Sequence, residues 1–148
     1  MLVTSCDPAV DGIMKMTNNT DTVLTIVIEK KGHFISDSIH YRYFPYQENE
    51  NSQYKIFGDT LLIVECNLNK NQELLLYHEF PLGQLYLLDK ESGLRCLGEI
   101  ADTIFLKKSL LKKDIKNMDN WEIYVDKYHN GGGKSVFNFQ LTNTDIEW

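Results

Sequence analysis

Apolar and polar residues alternate along most of the chain in short stretches, separated by clusters of Asn, Asp, Gly and Pro. Period two over four to eight residues is the mark of a strand with one covered face, and the polar clusters between stretches are turn chemistry. Residues 13–17 and 22–30 form two β-rich runs around Asn18-Asn19-Thr20-Asp21, which suits a hairpin loop of about four residues. In Thr22-Val23-Leu24-Thr25-Ile26-Val27-Ile28 almost every residue is apolar or β-branched, so this stretch predicts a central strand covered on both faces. Lys30-Lys31-Gly32 breaks it. Residues 38–44 alternate again, with Ile39, Tyr41 and Tyr43 opposite Ser38, His40 and Arg42. The polar run 47–53 after Pro45 reads as a loop. Residues 60–68 form another apolar strand, 67–72 a polar turn that repeats the hairpin pattern, and 73–80 a further strand ended by Pro81-Leu82-Gly83.

The second half continues in the same manner. Residues 84–89 and 94–97 flank Lys90-Glu91-Ser92-Gly93, a hairpin signal with glycine in the loop, and 103–106 is a short strand. One helix is predicted near 110–119, with Ser109 as N-cap, Leu111, Ile115 and Met118 at helical spacing and lysines on the remaining face. A last hairpin pairs 121–128 with 136–142 across Asn130-Gly131-Gly132-Gly133. Its first arm sets Trp121, Ile123 and Val125 against Glu122, Tyr124 and Asp126; its second sets Phe137, Phe139 and Leu141 on one face. The expectation is a mainly β protein, an antiparallel β-sandwich of immunoglobulin-like or Greek-key type with one short helix near 110–119; a small open β-barrel is the alternative.

Composition narrows the reading without changing it. A chain of 148 residues, 43% hydrophobic and 24% charged, supports one domain with a full core, placed here at residues 13–148. A net charge of −6 argues against a nucleic-acid partner, which needs clustered cations. The longest apolar runs fall far short of the roughly 20 residues that span a bilayer.

Of three cysteines, Cys66 and Cys96 lie in apolar stretches where a free thiol behaves as a small hydrophobe; free thiols are favoured, with a disulfide between the two as the alternative. Cys6 stands apart. Val3-Thr4-Ser5-Cys6 resembles the box that ends a bacterial lipoprotein signal: an aliphatic residue, a small or β-branched one, a small one and the cysteine. That resemblance implies a lipid on Cys6 as membrane anchor, with residues 1–12 read as a signal remnant and a short tether containing Pro8 and Gly12. The hairpin stretch from Met14 to Thr22, the element Ser109-Leu110-Leu111-Lys112-Lys113-Asp114-Ile115 and Asn120-Trp121-Glu122-Ile123-Tyr124 are similar to small lipoproteins of Gram-negative gut anaerobes. No shared activity is attached to that group, so the resemblance implies a cell-envelope, outer-membrane location and no chemistry.

Catalytic patterns are sparse. His33, His40, His78 and His129 lie far apart, and the chain lacks His-Glu-x-x-His and Gly-x-Ser-x-Gly. Gly131-Gly132-Gly133-Lys134 lacks the spacing of a phosphate loop. Asp145 and Glu147 stand in no calcium-loop pattern. No catalytic residue, metal site or cofactor is therefore nominated. Two stretches point to binding. His40-Tyr41-Arg42-Tyr43-Phe44-Pro45-Tyr46 concentrates aromatics beside a polar loop; Tyr41 and Tyr43 suit the core, whereas Phe44 and Tyr46, with Arg42, are candidates for a protein or glycan partner. Lys107, Lys108, Lys112, Lys113 and Lys116 form a basic run on an acidic protein, which could meet anionic lipid headgroups. The leading functional expectation is a lipid-anchored, non-enzymatic envelope domain that binds a partner. An immunity or inhibitor lipoprotein against an enzyme toxin and an envelope-polymer hydrolase are the alternatives.

Overall fold

The computed structural model describes residues 10–32, 52–58, 60–78, 90–127 and 133–148. Ten strands and one α-helix follow in the order β1 (Val10–Asn18), β2 (Leu24–Lys31), β3 (Ser52–Phe57), β4 (Leu61–Leu68), β5 (Glu73–His78), α1 (Lys90–Ile100), β6 (Thr103–Leu106), β7 (Leu110–Leu111), β8 (Glu122–Lys127), β9 (Gly133–Leu141) and β10 (Ile146–Glu147). They form two four-stranded sheets, β5-β1-β9-β8 and β3-β4-β2-β6, and a two-stranded ribbon of β7 and β10. Among the described residues no barrel closes, and the β-sandwich stands. One core fills the space between the sheets: Met14, Met16, Leu74, Leu76, Phe137 and Phe139 from the first meet Leu24, Ile26, Ile28, Leu62, Val64 and Cys66 from the second. The alternation in the sequence is this packing seen one strand at a time, because successive strand side chains point to opposite faces.

The strand that the sequence marks as central is so. β2 pairs antiparallel with both β4 and β6, and its inward Leu24, Ile26 and Ile28 are buried. Its outward face is partly open. Val27 is shielded in the row Glu65–Val27–Phe105, while Thr25 and Glu29 are half-buried. The closing hairpin pairs as predicted, with β8 and β9 antiparallel and Ile123 opposite Phe137, but Val125, expected on the inward face, is exposed near the end of edge strand β8. β5 matches the strand expected at 73–80 over its described residues.

The first predicted hairpin is not one. β1 and β2 lie in different sheets, and β1 instead runs parallel to β9 and antiparallel to β5. The same holds for β4 and β5, which the turn at 69–72 carries from one sheet to the other. In a hairpin both apolar faces would lie on the same side of one sheet. Here they must face each other across the core, so each corner rotates the chain as it turns.

Asn18, fully buried, makes this possible. Its Nδ2 donates to the carbonyls of Leu68 at 2.8 Å and Thr22 at 2.9 Å, and its Oδ1 accepts from the Thr20 amide at 2.9 Å and the Thr20 hydroxyl at 2.6 Å. The backbone of Asn18 bonds Gln72 and Asn71 of the other corner, and Asn71 adopts a left-handed φ of 65° that asparagine tolerates. One carboxamide thus satisfies both corners with all its donors and acceptors used.

The helix lies elsewhere than predicted. It spans Lys90–Ile100, over residues read as a hairpin turn and returning strand, and the 110–119 region holds the short strand β7 and a 3-10 turn at Met118–Asn120. The buried residues of α1 are Gly93, Cys96, Leu97 and Ile100, which is helical spacing. Gly93 is there for contact and not for a turn. A Cβ on it would stand 2.1 Å from Phe137 Cε2 and 2.8 Å from Met118 Cε, so its bare backbone seats the helix on β9. Ile115 and Met118, the expected helix face, are buried in the core without a helix to present them.

Three smaller differences concern boundaries. β1 begins at Val10, inside the stretch read as tether, and β3 occupies the end of the expected 47–53 loop. A short turn, Asn143–Asp145, and β10 follow the closing hairpin. The strands expected at 38–44 and 84–89 lie outside the described residues.

Two substitutions test these nodes. Asn18→Ala should remove the side-chain partner of the Leu68 carbonyl and of the Thr20 amide, while the Thr22 carbonyl keeps the Thr20 hydroxyl; at about 1–3 kcal/mol for each group left unpaired, it should lower unfolding free energy in urea by about 2 kcal/mol or more. Gly93→Ala should also destabilise, by about 1–3 kcal/mol from overpacking, although alanine favours helix. A Gly93→Ala protein as stable as the parent would show that α1 is not seated by this contact.

Candidate functional site

The sequence-nominated residues do not converge. Cys6, Arg42, Phe44 and Tyr46 lie outside the described residues. The five lysines share no helix face, because the segment from Lys107 to Asn117 is extended and irregular. Lys107 pairs with both carboxylate oxygens of Glu65 at 3.1 Å. Lys113 is a structural residue: its ammonium stands 4.7 Å above the Phe139 ring, donates to the Gln140 carbonyl at 3.0 Å and approaches Asp145 at 3.9 Å. Its stem lies along apolar surface with the charge held at the edge. Lys116 borders a groove described below. Lys108 and Lys112, exposed as Lys107 and Lys116 are, flank β7 and its Leu110, which is 61% exposed, while Trp148 beyond β10 is 62% exposed.

The position of this ribbon bears on the membrane reading. In the parallel β1/β9 pair Val10 matches Gly133 and Asn18 matches Leu141, and β10 follows Leu141 within a few residues. Lys108 and Lys112 therefore sit at the Leu141 end, and Val10 at the opposite end. Eight steps of about 3.3 Å separate those ends by roughly 25 Å. An anchor joined to Val10 and a lysine-bearing ribbon at Leu141 belong to different poles of the sandwich.

Among the described residues, organised polar groups gather on the outer face of the β5-β1-β9-β8 sheet, which the sequence pattern does not single out. Register places Lys15, Asn138 and Glu122 in one row, Glu73, Thr17 and Gln140 in the next, and Ile13, Val136 and Tyr124 in a third. The Tyr124 hydroxyl and Gln140 Nε2 both donate to Glu122 Oε2 at 2.8 Å, and Asn19 Nδ2 donates to Gln140 Oε1 at 2.7 Å. Thr17 donates to Asn138 Oδ1 at 2.8 Å, and Lys15 bonds Glu73 at 2.8 Å. The Glu122 carboxylate, by hydrogen bond and by charge, raises the pKa of Tyr124 and keeps its hydroxyl a donor. Tyr124 is 58% exposed. The polar half of the period-two pattern in β8 and β9 carries these residues, but a solvated strand face and a binding face read alike in one dimension.

A half-open groove of about 420 Å³ runs beside α1, lined by Leu94, Leu97, Gly98, Ala101, Asp102 and Lys116. Asp102 accepts from the Lys31 amide at 2.6 Å, which holds its carboxyl below the usual range despite partial burial, with Lys30 nearby in support. Asp21 is held down likewise by Asn143 and Lys70. Both shifts favour the charged carboxylate. Among the described residues no three His, Cys, Asp or Glu side chains gather as a metal site, and no helix is long and apolar enough to cross a membrane.

Cys66 and Cys96 are free and buried, as expected. Burial raises both thiol pKa values, and that of Cys96, further opposed by Glu99, is pushed up to about 11. No family model, no curated protein and no solved structure matches this chain.

Because the thiolate is the reactive form, Cys66 and Cys96 should resist iodoacetamide at pH 8 in the native protein and react promptly in urea. Peptide mass mapping before and after unfolding measures this. Fast native labelling of Cys96 would contradict its burial in the core.

Proposed function

We propose that this protein is a lipid-anchored, non-enzymatic binding domain of the cell envelope, held at the outer membrane through Cys6. The observation that carries the reading is the separation of the two things such a protein needs. The chain enters the sandwich at Val10, four positions after Cys6, at one end of β1. The organised polar face of the β5-β1-β9-β8 sheet runs away from that end on strands whose inward residues are locked in the core. A tether at one pole leaves such a face accessible, and a rigid scaffold holds its side chains in place without using them for packing.

The lysines fit this arrangement better as surface features of the far pole than as a headgroup contact beside the anchor. Lys113 serves the fold, Lys107 is paired, and Lys108 and Lys112 stand at the Leu141 end. Arg42, Phe44 and Tyr46 remain candidates for additional partner contacts.

The anchor is tested by expressing the protein behind a functional lipoprotein signal and separating phases with Triton X-114. The parent should enter the detergent phase with a lipid-modified Cys6 peptide, and Cys6→Ala should stay aqueous. Equal partitioning of the two forms would overturn the anchor.

A further inference from the structure

We propose that the outer face of the β5-β1-β9-β8 sheet binds an extended, uncharged oligosaccharide, with Tyr124, Glu122, Gln140 and Asn19 as its principal contacts. This rests on the reading of the protein as a binder and assigns its ligand class.

The face is preorganised. Its side chains project from β1, β9 and β8; on the opposite face β1 and β9 put Met14, Met16, Phe137 and Phe139 fully into the core, and β8 packs Ile123 against it. Neighbouring strands stand about 4.8 Å apart and successive outward residues on a strand about 6.7 Å apart. The hydrogen bonds among Asn19, Gln140, Glu122 and Tyr124 then fix the rotamers across that grid. Little side-chain entropy remains to be lost when a ligand binds.

The chemistry matches hydroxyls. Both bonds to Glu122 land on Oε2, and among the described residues Oε1 accepts none. Gln140 commits one of its two amide protons to Glu122, and Asn19 commits one of its two to Gln140. Each of these side chains is held by one or two bonds within the network and retains capacity for another, with donors and acceptors interleaved. A polyol presents the same mixture. Tyr124 adds an exposed flat ring at the edge of this network, suited to the apolar C–H face of a sugar ring.

Charge selects against ions. Lys15 is neutralised by Glu73, and the Glu122 carboxylate receives two hydrogen bonds, so neither an uncompensated cation nor a cluster of carboxylates dominates the lane. A protein partner is less suited, because the centre of a protein interface is apolar and poor in charge. Here the polar rows cross from the central strands β1 and β9 to the edge strand β8, and the apolar Ile13 and Val136 of the central strands are half-buried.

The test is calorimetric titration of the soluble domain with a panel of neutral oligosaccharides built from glucose, mannose, galactose, xylose or N-acetylglucosamine. At least one should bind, with affinity unchanged between low and high salt, since a neutral ligand releases no counterions and is not screened. Tyr124→Ala and Gln140→Ala should each weaken it about tenfold or more, the scale of a binding hot spot. Thermal melting should stay near that of the parent for Tyr124→Ala. Failure of every sugar in the panel overturns the proposal, as does sugar binding that both variants retain. Binding only to acidic polysaccharides, suppressed by salt, overturns the neutral-ligand assignment. Because the soluble domain carries no lipid, these outcomes are independent of the detergent partitioning of Cys6.

Discussion

The carboxamide of Asn18 sits where the chain twice leaves one sheet for the other, and both crossings depend on it. A strand pair joined by a hairpin is stabilised by its own ladder, but a corner between sheets gives up that ladder and exposes carbonyls and amides to a dry interior. Asn18 meets the need from one side chain: it donates to Thr22 in its own corner and Leu68 in the other, and accepts twice from Thr20. Buried polar groups are tolerated when saturated in this way and are costly otherwise. The two sheets face each other because one buried carboxamide ties these otherwise exposed corners together.

A second junction fixes what lies between the sheets. Gly93 lets α1 approach Phe137 and Met118 more closely than any side chain would permit. Phe139, one pleat further along β9, meets the ring of Trp121 edge-on at 5.2 Å and carries the Lys113 ammonium on its face. Trp121 in turn donates its indole N–H to the Ile115 carbonyl at 2.8 Å. The segment between β7 and β8 has little regular structure, yet these aromatic, cationic and hydrogen-bond contacts attach it to β9. Lys113 contributes to this attachment through packing as much as through charge, and so is not free to serve a membrane surface.

With stability concentrated in the corners and the inner faces, the outer face of the β5-β1-β9-β8 sheet has few structural duties. Its residues bond one another along the surface rather than down into the core. Such a face can be altered residue by residue with small effect on folding, which is how a scaffold acquires a ligand without losing its shape. The proposed anchor at the Val10 end and the proposed sugar lane are mechanically compatible, because the parallel β1/β9 pair runs rigidly between them.

The sequence by itself determined the class and the faces. Alternation in Trp121 to Ile123 and Phe137 to Leu141 named the inward residues of the last hairpin, although Val125 in the same pattern is exposed, and the β-branched run through Ile26 named a central strand, because burial of one pleated face is a local constraint written at period two. Which strands pair was decided by tertiary structure. The polar clusters after Met16 and Leu68 are equally good as hairpin turns, and only an inward-folded Asn18 converts them into corners. Gly93 read as a turn for the same reason: a glycine marks either backbone freedom or the close approach of another element, and Phe137 is more than forty positions away. The lysine run shows the converse error, since Leu111, Ile115 and Met118 fit a helix by spacing, while Leu111 pairs with Ile146 in a strand, Ile115 lies in a turn bonded by Trp121, and Met118 starts a single 3-10 turn. Asn19, Glu122, Tyr124 and Gln140 were legible only as exposed polar positions. Their assembly into one network required three separate segments to be laid side by side, and no local pattern encodes that adjacency.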